Sequence, residues 1–201
     1  MTGASPSILL LIPAYNEESR IGPVLETYAL YFREHHPDNF HLVVVLNGCT
    51  DDTLGVVERA SGQHPEISHV NIPEPIGKGG ALIEGLKLAP KADLVGYVDA
   101  DGATPPAAFD DLVTECAEAD CVIGSRWMAG SVLRQEQTFR RQFVSRVFHA
   151  IVQAFFWMNI RDTQCGAKVM QREAVEAIHG QLTVADMAFD INLLYALKRS
   201  G

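Results

Sequence analysis

The sequence predicts an α/β fold with a mostly parallel central sheet flanked by helices. Three observations carry that expectation. Residues 8–12, 42–46 and 94–98 are near-continuous apolar runs, the pattern of strands buried on both faces. Segments of helical length separate them, and strands alternating with helices favour parallel pairing. No repeat or low-complexity linker interrupts the 201 residues, enough for one domain with a proper core.

The elements follow in order. Pro13 closes the first strand. Residues 17–36 read as a helix ending before Pro37, with His35 and His36 at its dipole-favoured end. The second strand closes at Asn47-Gly48. Thr50 is placed to cap a helix with Asp51 and Asp52 in its first turn, where acids suit the dipole. Residues 67–72 form a third strand, and 78–89 a helix ending at Pro90. After the fourth strand, Pro105-Pro106 open a helix to about residue 119, and 121–124 form a fifth strand. The second half is less regular: a helix over 139–158, a short strand over 166–170, and helices over 172–180 and 187–199.

Composition narrows the function. With 47% hydrophobic and 20% charged residues the chain is ordinary for a globular protein. A net charge of −9 argues against a nucleic-acid partner. The charge is uneven: between 126 and 161 six arginines (126, 134, 140, 141, 146, 161) face one acid, Glu136. Cys49, Cys116, Cys121 and Cys165 form no C-x-x-C pair and have no ligand spacing with histidine, so they read as reduced cytosolic thiols. The histidines are scattered without ligand spacing. Residues 2–7 do not resemble a signal peptide, and the apolar run 150–158 is too short to span a bilayer.

Five segments after strands or at helix starts carry candidate chemistry. Pro13-Ala14-Tyr15-Asn16-Glu17-Glu18 offers a stacking ring at Tyr15 and a hydrogen-bond acceptor for a ribose or base at Glu17; it also reads as a strand–turn–helix junction capped by Asn16. In Leu46-Asn47-Gly48-Cys49-Thr50-Asp51-Asp52-Thr53, Asn47 can donate to and accept from a nucleobase edge, or serve as a cap. Gly77-Lys78-Gly79-Gly80-Ala81 lets backbone approach a phosphate beside the Lys78 charge, or is a flexible turn; it lacks P-loop spacing. Asp99-Ala100-Asp101 ends a buried strand in two carboxylates spaced i, i+2. Hard cations such as Mg²⁺ take that donor set together with substrate phosphates. Gly124-Ser125-Arg126 places Arg126 after the fifth strand, as a phosphate clamp or a surface ion-pair partner.

In this order the segments resemble the inverting family-two glycosyltransferases of GT-A fold. A sixth, Asp162-Thr163-Gln164-Cys165-Gly166-Ala167-Lys168, brings the pattern nearest the dolichyl-phosphate glucosyltransferase and dolichyl-phosphate mannose synthase branch. The resemblance implies one GT-A catalytic domain over 1–201. Residues 1–102 would bind the nucleotide sugar, and 103–201 would face the acceptor. Pro13, Ala14, Tyr15, Glu17 and Asn47 would hold the nucleoside, with Lys78 and Ala100 near it and the phosphates. Asp99 and Asp101 would hold Mg²⁺ or Mn²⁺ on the diphosphate of a UDP- or GDP-hexose. Arg126, Arg134, Arg140, Arg141, Asp162 and Gln164 would meet a polyprenyl phosphate, with Arg126 also in the catalytic set. The chain departs from the family at Leu46-Asn47, where two Asp are usual, and at Ala103, where mannose synthases carry Gln.

Charge then suggests mechanism. An acceptor phosphate is already anionic and can attack the anomeric carbon without a general base. A hydroxyl acceptor needs one, and Asp190 is the candidate, although it also reads as structural or acceptor-orienting. Phe139, Phe143, Val147, Phe148, Ile151 and Phe155 form an apolar stripe with Arg140, Arg141 and Arg146 off it. On composition this is a core helix with a basic face. With the resemblance it is a membrane-surface helix, which makes the protein cytoplasmic and peripheral on the cytoplasmic face of a membrane. Two alternatives stand beside the polyprenyl-phosphate transferase: a transferase with a soluble hydroxyl acceptor, and a catalytically silent nucleotide-sugar-binding protein.

Overall fold

The computed structural model describes residues 5–125, 165–186 and 188–200. Strands β1 (Ile8–Ala14), β2 (Phe40–Asn47), β3 (Ile67–Ile72) and β4 (Leu94–Tyr97) alternate with helices α1 (Ile21–His35), α2 (Thr53–Gln63) and α3 (Gly77–Leu86). Then come α4 (Pro106–Glu115), β5 (Cys121–Ile123), β6 (Lys168–Gln171), α5 (Arg172–Ile178) and α6 (Phe189–Ser200). The expected α/β architecture is present. The sheet order is β3-β2-β1-β4-β6-β5, with β3 through β4 parallel and β6 antiparallel to both its neighbours. The insertion of β6 between β4 and β5 leaves the fifth strand at the sheet's edge.

The aliphatic runs are buried on both sides because both faces are covered. Ile8, Leu10 and Ile12 point into one layer with Leu25, Phe32 and Val57 of α1 and α2 and Phe109 of α4. Leu9 and Leu11 point into the other, with Leu82 of α3, Val175 of α5 and Leu193 of α6. Strand periodicity of two assigns successive residues to opposite cores.

Several boundaries differ from the sequence reading, for tertiary reasons. The first helix begins at Ile21, not residue 17. Asn16 is left-handed (φ 54°), and it accepts the Thr50 N–H at 2.8 Å rather than capping its own helix. The Glu17 N–H donates to Thr53 Oγ1 at 2.7 Å and the Glu18 N–H to Asp51 at 3.2 Å, holding the segment in a turn. Thr50 is thereby committed to Asn16, so α2 begins at Thr53, and Asp51 and Asp52 lie before its first turn. Asp51 accepts the Thr53 N–H at 3.0 Å instead. Helices α3 and α4 end earlier than expected, each followed by a single 3₁₀ turn, at Ala89–Lys91 and Cys116–Glu118. The strand expected over 166–170 is Lys168–Gln171, and the last two helices are Arg172–Ile178 and Phe189–Ser200. His36 lies beyond α1 and pairs with Asp110 of α4 at 2.6 Å. The expected helix 139–158 lies outside the described residues. Among the described residues no helix is long and apolar enough to cross a membrane.

Candidate active site

The order in which strands are added to the sheet reverses between the parallel neighbours β1 and β4. From β1 the chain winds outward through β2 and β3, then returns to β1's other side. At such a switch point the connections leave in opposite directions and open a crevice beyond the strands' carboxyl ends, where open α/β sheets bind ligands. A cleft of about 460 Å³ lies there. Its walls include Pro13, Ala14, Tyr15 and Glu17 after β1, Asn47 from β2, Lys78 from α3, and Asp99, Ala100 and Asp101 after β4. Segments from 21 residues apart (Lys78 to Asp99) to 88 apart (Pro13 to Asp101) thus meet in one place. Gly77, from the glycine-rich segment, completes the lining with Arg20 and Pro75, which were not singled out from the sequence as binding residues.

Tyr15 presents its ring at 55% exposure, a free stacking face. Glu17 is held by Arg20, which donates to its two oxygens at 2.7 and 2.8 Å. The only sequence signal for Arg20 is its i, i+3 spacing from Glu17. Asn47 is buried, and its Oδ1 accepts the Ile76 N–H at 2.7 Å, leaving the amide NH₂ as the group it can offer a ligand.

The other end of the cleft is ionic. Lys78 Nζ donates to Asp99 Oδ1. Asp101 is exposed, and its Oδ1 accepts the Ala103 N–H at 2.9 Å in the turn that Gly102 makes at φ 72°. The Tyr28 hydroxyl, from α1, donates to the Thr104 carbonyl at 2.9 Å and steadies that turn. The glycines around Lys78 have a packing role that the phosphate reading did not anticipate. A Cβ on Gly79 would come within 2.7 Å of both Phe189 Cβ and the Val184 carbonyl oxygen, and the Gly80 N–H donates to the Ala185 carbonyl at 3.0 Å. They let α3 start against Val184, Ala185 and Phe189, which sets where Lys78 emerges.

Two carboxylates at a strand end suit a hard divalent cation whose remaining positions are filled by phosphate oxygens and water. Lys78 already places positive charge on one of them. Among the described residues no group of three potential metal-ligating side chains is present.

Asp190 is not a lining residue. It is 6% exposed and accepts from Lys168 Nζ at 2.6 Å and from the Tyr97 hydroxyl at 2.5 Å. Burial, then the Asp190 charge, hold the Tyr97 phenol well above its usual range, so it stays a donor. Enclosed by a lysine and a phenol, Asp190 has the surroundings of the structural role that the sequence also allowed for it beside that of a general base. Burial also pushes the thiols up, Cys116 to about 11 and Cys121 to about 12, so neither is a nucleophile at neutral pH. Arg126, Arg134, Arg140, Arg141, Asp162 and Gln164 lie outside the described residues.

Known proteins match this chain in sequence and in fold. The profile of glycosyl transferase family 2 matches residues 9–178. Glycosyltransferase AglD of Haloferax volcanii is 30% identical over 100% of this chain and 32% of its own length. The dolichyl-phosphate beta-glucosyltransferase of Drosophila melanogaster is 32% identical over 95% of this chain and 63% of its own. The chain therefore spans about one third to two thirds of these relatives. Among solved structures, glucosyl-3-phosphoglycerate synthase from Mycobacterium tuberculosis, in complex with Mn²⁺, UDP and glucosyl-3-phosphoglycerate, superposes with a TM-score of 0.69. That match has 21% identity and covers 95% of this chain and 64% of that one. The mannosyltransferase PcManGT from Pyrobaculum calidifontis, in complex with GDP-Man and Mn²⁺, gives a TM-score of 0.56 at 21% identity, over 85% and 46% of the two chains.

Proposed function

The chain belongs to glycosyl transferase family 2, and from that premise we propose that it moves a hexose, glucose or mannose, from a UDP- or GDP-sugar to a polyprenyl phosphate, with inversion. The observation that carries this reading is the cleft at the β1/β4 switch point, with a stacking ring and hydrogen-bonding groups at one end and Lys78, Asp99 and Asp101 at the other. Those two ends suit a nucleoside and a diphosphate. In this reading Tyr15 stacks on the base, while Asn47 and Glu17 bind base and ribose. Lys78 orients the diphosphate. Asp99 and Asp101 would hold Mg²⁺ or Mn²⁺, which stabilises negative charge developing on the leaving diphosphate.

The acceptor follows from proton bookkeeping. A phosphate oxygen attacks the anomeric carbon as the bond to the diphosphate breaks, and no proton has to move. A hydroxyl acceptor must lose a proton, and Asp190 is enclosed by Lys168 and Tyr97. That enclosure supports the phosphate acceptor over the soluble hydroxyl one. The relatives named for dolichyl phosphate support it too. A lipid phosphate is met at a bilayer, so we place the protein peripherally on the cytoplasmic face, with Arg126, Arg134, Arg140, Arg141, Asp162 and Gln164 toward the acceptor.

The test is transfer of labelled hexose to polyprenyl phosphate in anionic liposomes. Replacing Arg140 and Arg141 by Glu is expected to lower liposome binding and lipid transfer together while donor hydrolysis in water survives. Each basic residue near an anionic surface contributes only about 1 kcal/mol and is screened by salt. A soluble hydroxyl acceptor that outperforms every polyprenyl phosphate would overturn the reading.

A further inference from the structure

The Asp99 carboxylate has a neighbour opposite in kind to Lys78. A Cβ built on Gly166 would lie 2.0 Å from Asp99 Oδ2. The carboxylate therefore stands in the space a side chain at 166 would occupy, and the Cys165–Gly166 backbone walls it in. Buried charge holds that wall. Lys168 is fully buried, and its Nζ donates to the Cys165 carbonyl at 2.7 Å and to Asp190 Oδ1 at 2.6 Å. The Tyr97 hydroxyl donates to the same Oδ1, and Nζ stands 5.3 Å from the centre of the Tyr97 ring. Tyr97 and Lys168 are register partners across β4 and β6, and Tyr97 precedes Asp99 by two residues.

Buried ion pairs are a poor route to stability, since apolar residues of similar volume often do as well or better. What Lys168 adds is direction. Its ammonium fixes one backbone carbonyl, that of Cys165, while Asp190 and Tyr97 fix the ammonium. With no exposed surface, Lys168 does not touch a ligand in the cleft, so any effect on chemistry runs through the turn it holds.

We propose that Lys168, with Asp190 and Tyr97, is a positioning unit that locks the Cys165–Gly166 turn against Asp99 and confines that carboxylate to its cation- and diphosphate-facing orientation. The inference rests on the donor-site reading above. It assigns Asp190 a role through Lys168 rather than as a base.

The decisive variant is Lys168→Met combined with Asp190→Asn, which removes both charges, strands neither, and leaves Tyr97 an amide partner. Gly166→Ala acts on the wall directly. Calorimetry of UDP and GDP with and without Mn²⁺, and electron paramagnetic resonance of bound Mn²⁺ at saturating nucleotide, supply the readouts. Wild-type protein is expected to bind one nucleotide more tightly with Mn²⁺. The double variant is expected to keep the metal-free affinity and lose at least tenfold of the Mn²⁺-dependent gain; Gly166→Ala is expected to lose that gain as well. A lowered melting temperature with the Mn²⁺ gain intact marks a merely structural trio and overturns the proposal. Should the double variant not fold, an intact gain in Gly166→Ala overturns it alone. Wild-type protein that binds neither nucleotide with Mn²⁺ instead sinks the donor-site reading, and this inference with it.

Discussion

Asn47 is where recognition and architecture can be pulled apart. Its Oδ1 accepts the N–H of Ile76, the residue just before α3, and so ties the end of β2 to the helix start that presents Lys78. Asn47→Ala removes that acceptor and leaves a part-buried N–H unsatisfied, a cost of about 1–3 kcal/mol. For a chain of this size each kcal/mol lowers the melting temperature by roughly 2–4 °C, so a drop of roughly 2–12 °C is expected. If the amide NH₂ also bonds the nucleotide, the same variant loses about 1–2 kcal/mol of binding, roughly 5–30-fold in Kd. Asn47→Asp separates the two effects. It keeps an oxygen for Ile76 but has no NH₂ and buries a carboxylate, so a stability loss beyond about 1 kcal/mol, the net worth of one hydrogen bond, measures that buried charge. Affinity for the preferred nucleotide should still fall. Thermal unfolding and calorimetry with UDP and GDP measure both quantities. Wild-type affinity for both nucleotides in Asn47→Asp would show that Asn47 serves only Ile76, and that the base is read elsewhere.

Three further outcomes follow from the same geometry. Asp101 is exposed and among the described residues makes only a local hydrogen bond to Ala103, so Asp101→Ala should abolish transfer and metal-dependent nucleotide binding while the unfolding temperature stays near wild type; full activity in excess EDTA would remove the metal role. Lys78→Met should act in opposite directions on two ligands. Nucleotide diphosphate binding weakens, while Mn²⁺ alone, titrated by electron paramagnetic resonance, binds more tightly because the lysine no longer competes for Asp99; unchanged affinities for both would exclude the pair from the site. Asp93 accepts from the Ser7 N–H at 2.9 Å and from its hydroxyl at 2.7 Å, and these bonds hold its carboxyl below the usual range. Because the folded value is depressed, this stabilisation is present above the unfolded value near ~3.9 and is lost as pH falls through the folded one. The stability gap between wild type and Asp93→Asn should therefore be constant near neutrality and close under acid in pH-dependent urea unfolding; a gap independent of pH would refute the assignment.

Local pattern determined the fold class, and together with the family resemblance it named most members of the cleft, though not Arg20 or Pro75. The strands at 8–12, 42–46 and 94–98 were legible because helices cover both faces of the sheet, so strand residues on either side are apolar. Pro13, Tyr15, Glu17, Asn47, Lys78, Asp99 and Asp101 were legible because each follows a strand or opens a helix, and parallel strands deliver such residues to one edge. The tertiary structure decided what no local pattern encodes. The start of α1 moved because the partners of Asn16, Glu17 and Glu18 lie more than 30 residues away, at Thr50, Thr53 and Asp51. The place of β6 between β4 and β5 rests on pairing between distant residues, from Tyr97 with Lys168 to Leu94 with Gln171. From sequence Asp190 could be a base, a structural residue or an acceptor-orienting one, because an acidic residue late in the chain has no visible partner. Only the register of Tyr97 with Lys168 encloses it, since the energy of a buried charge depends on neighbours that spacing along a chain does not reveal.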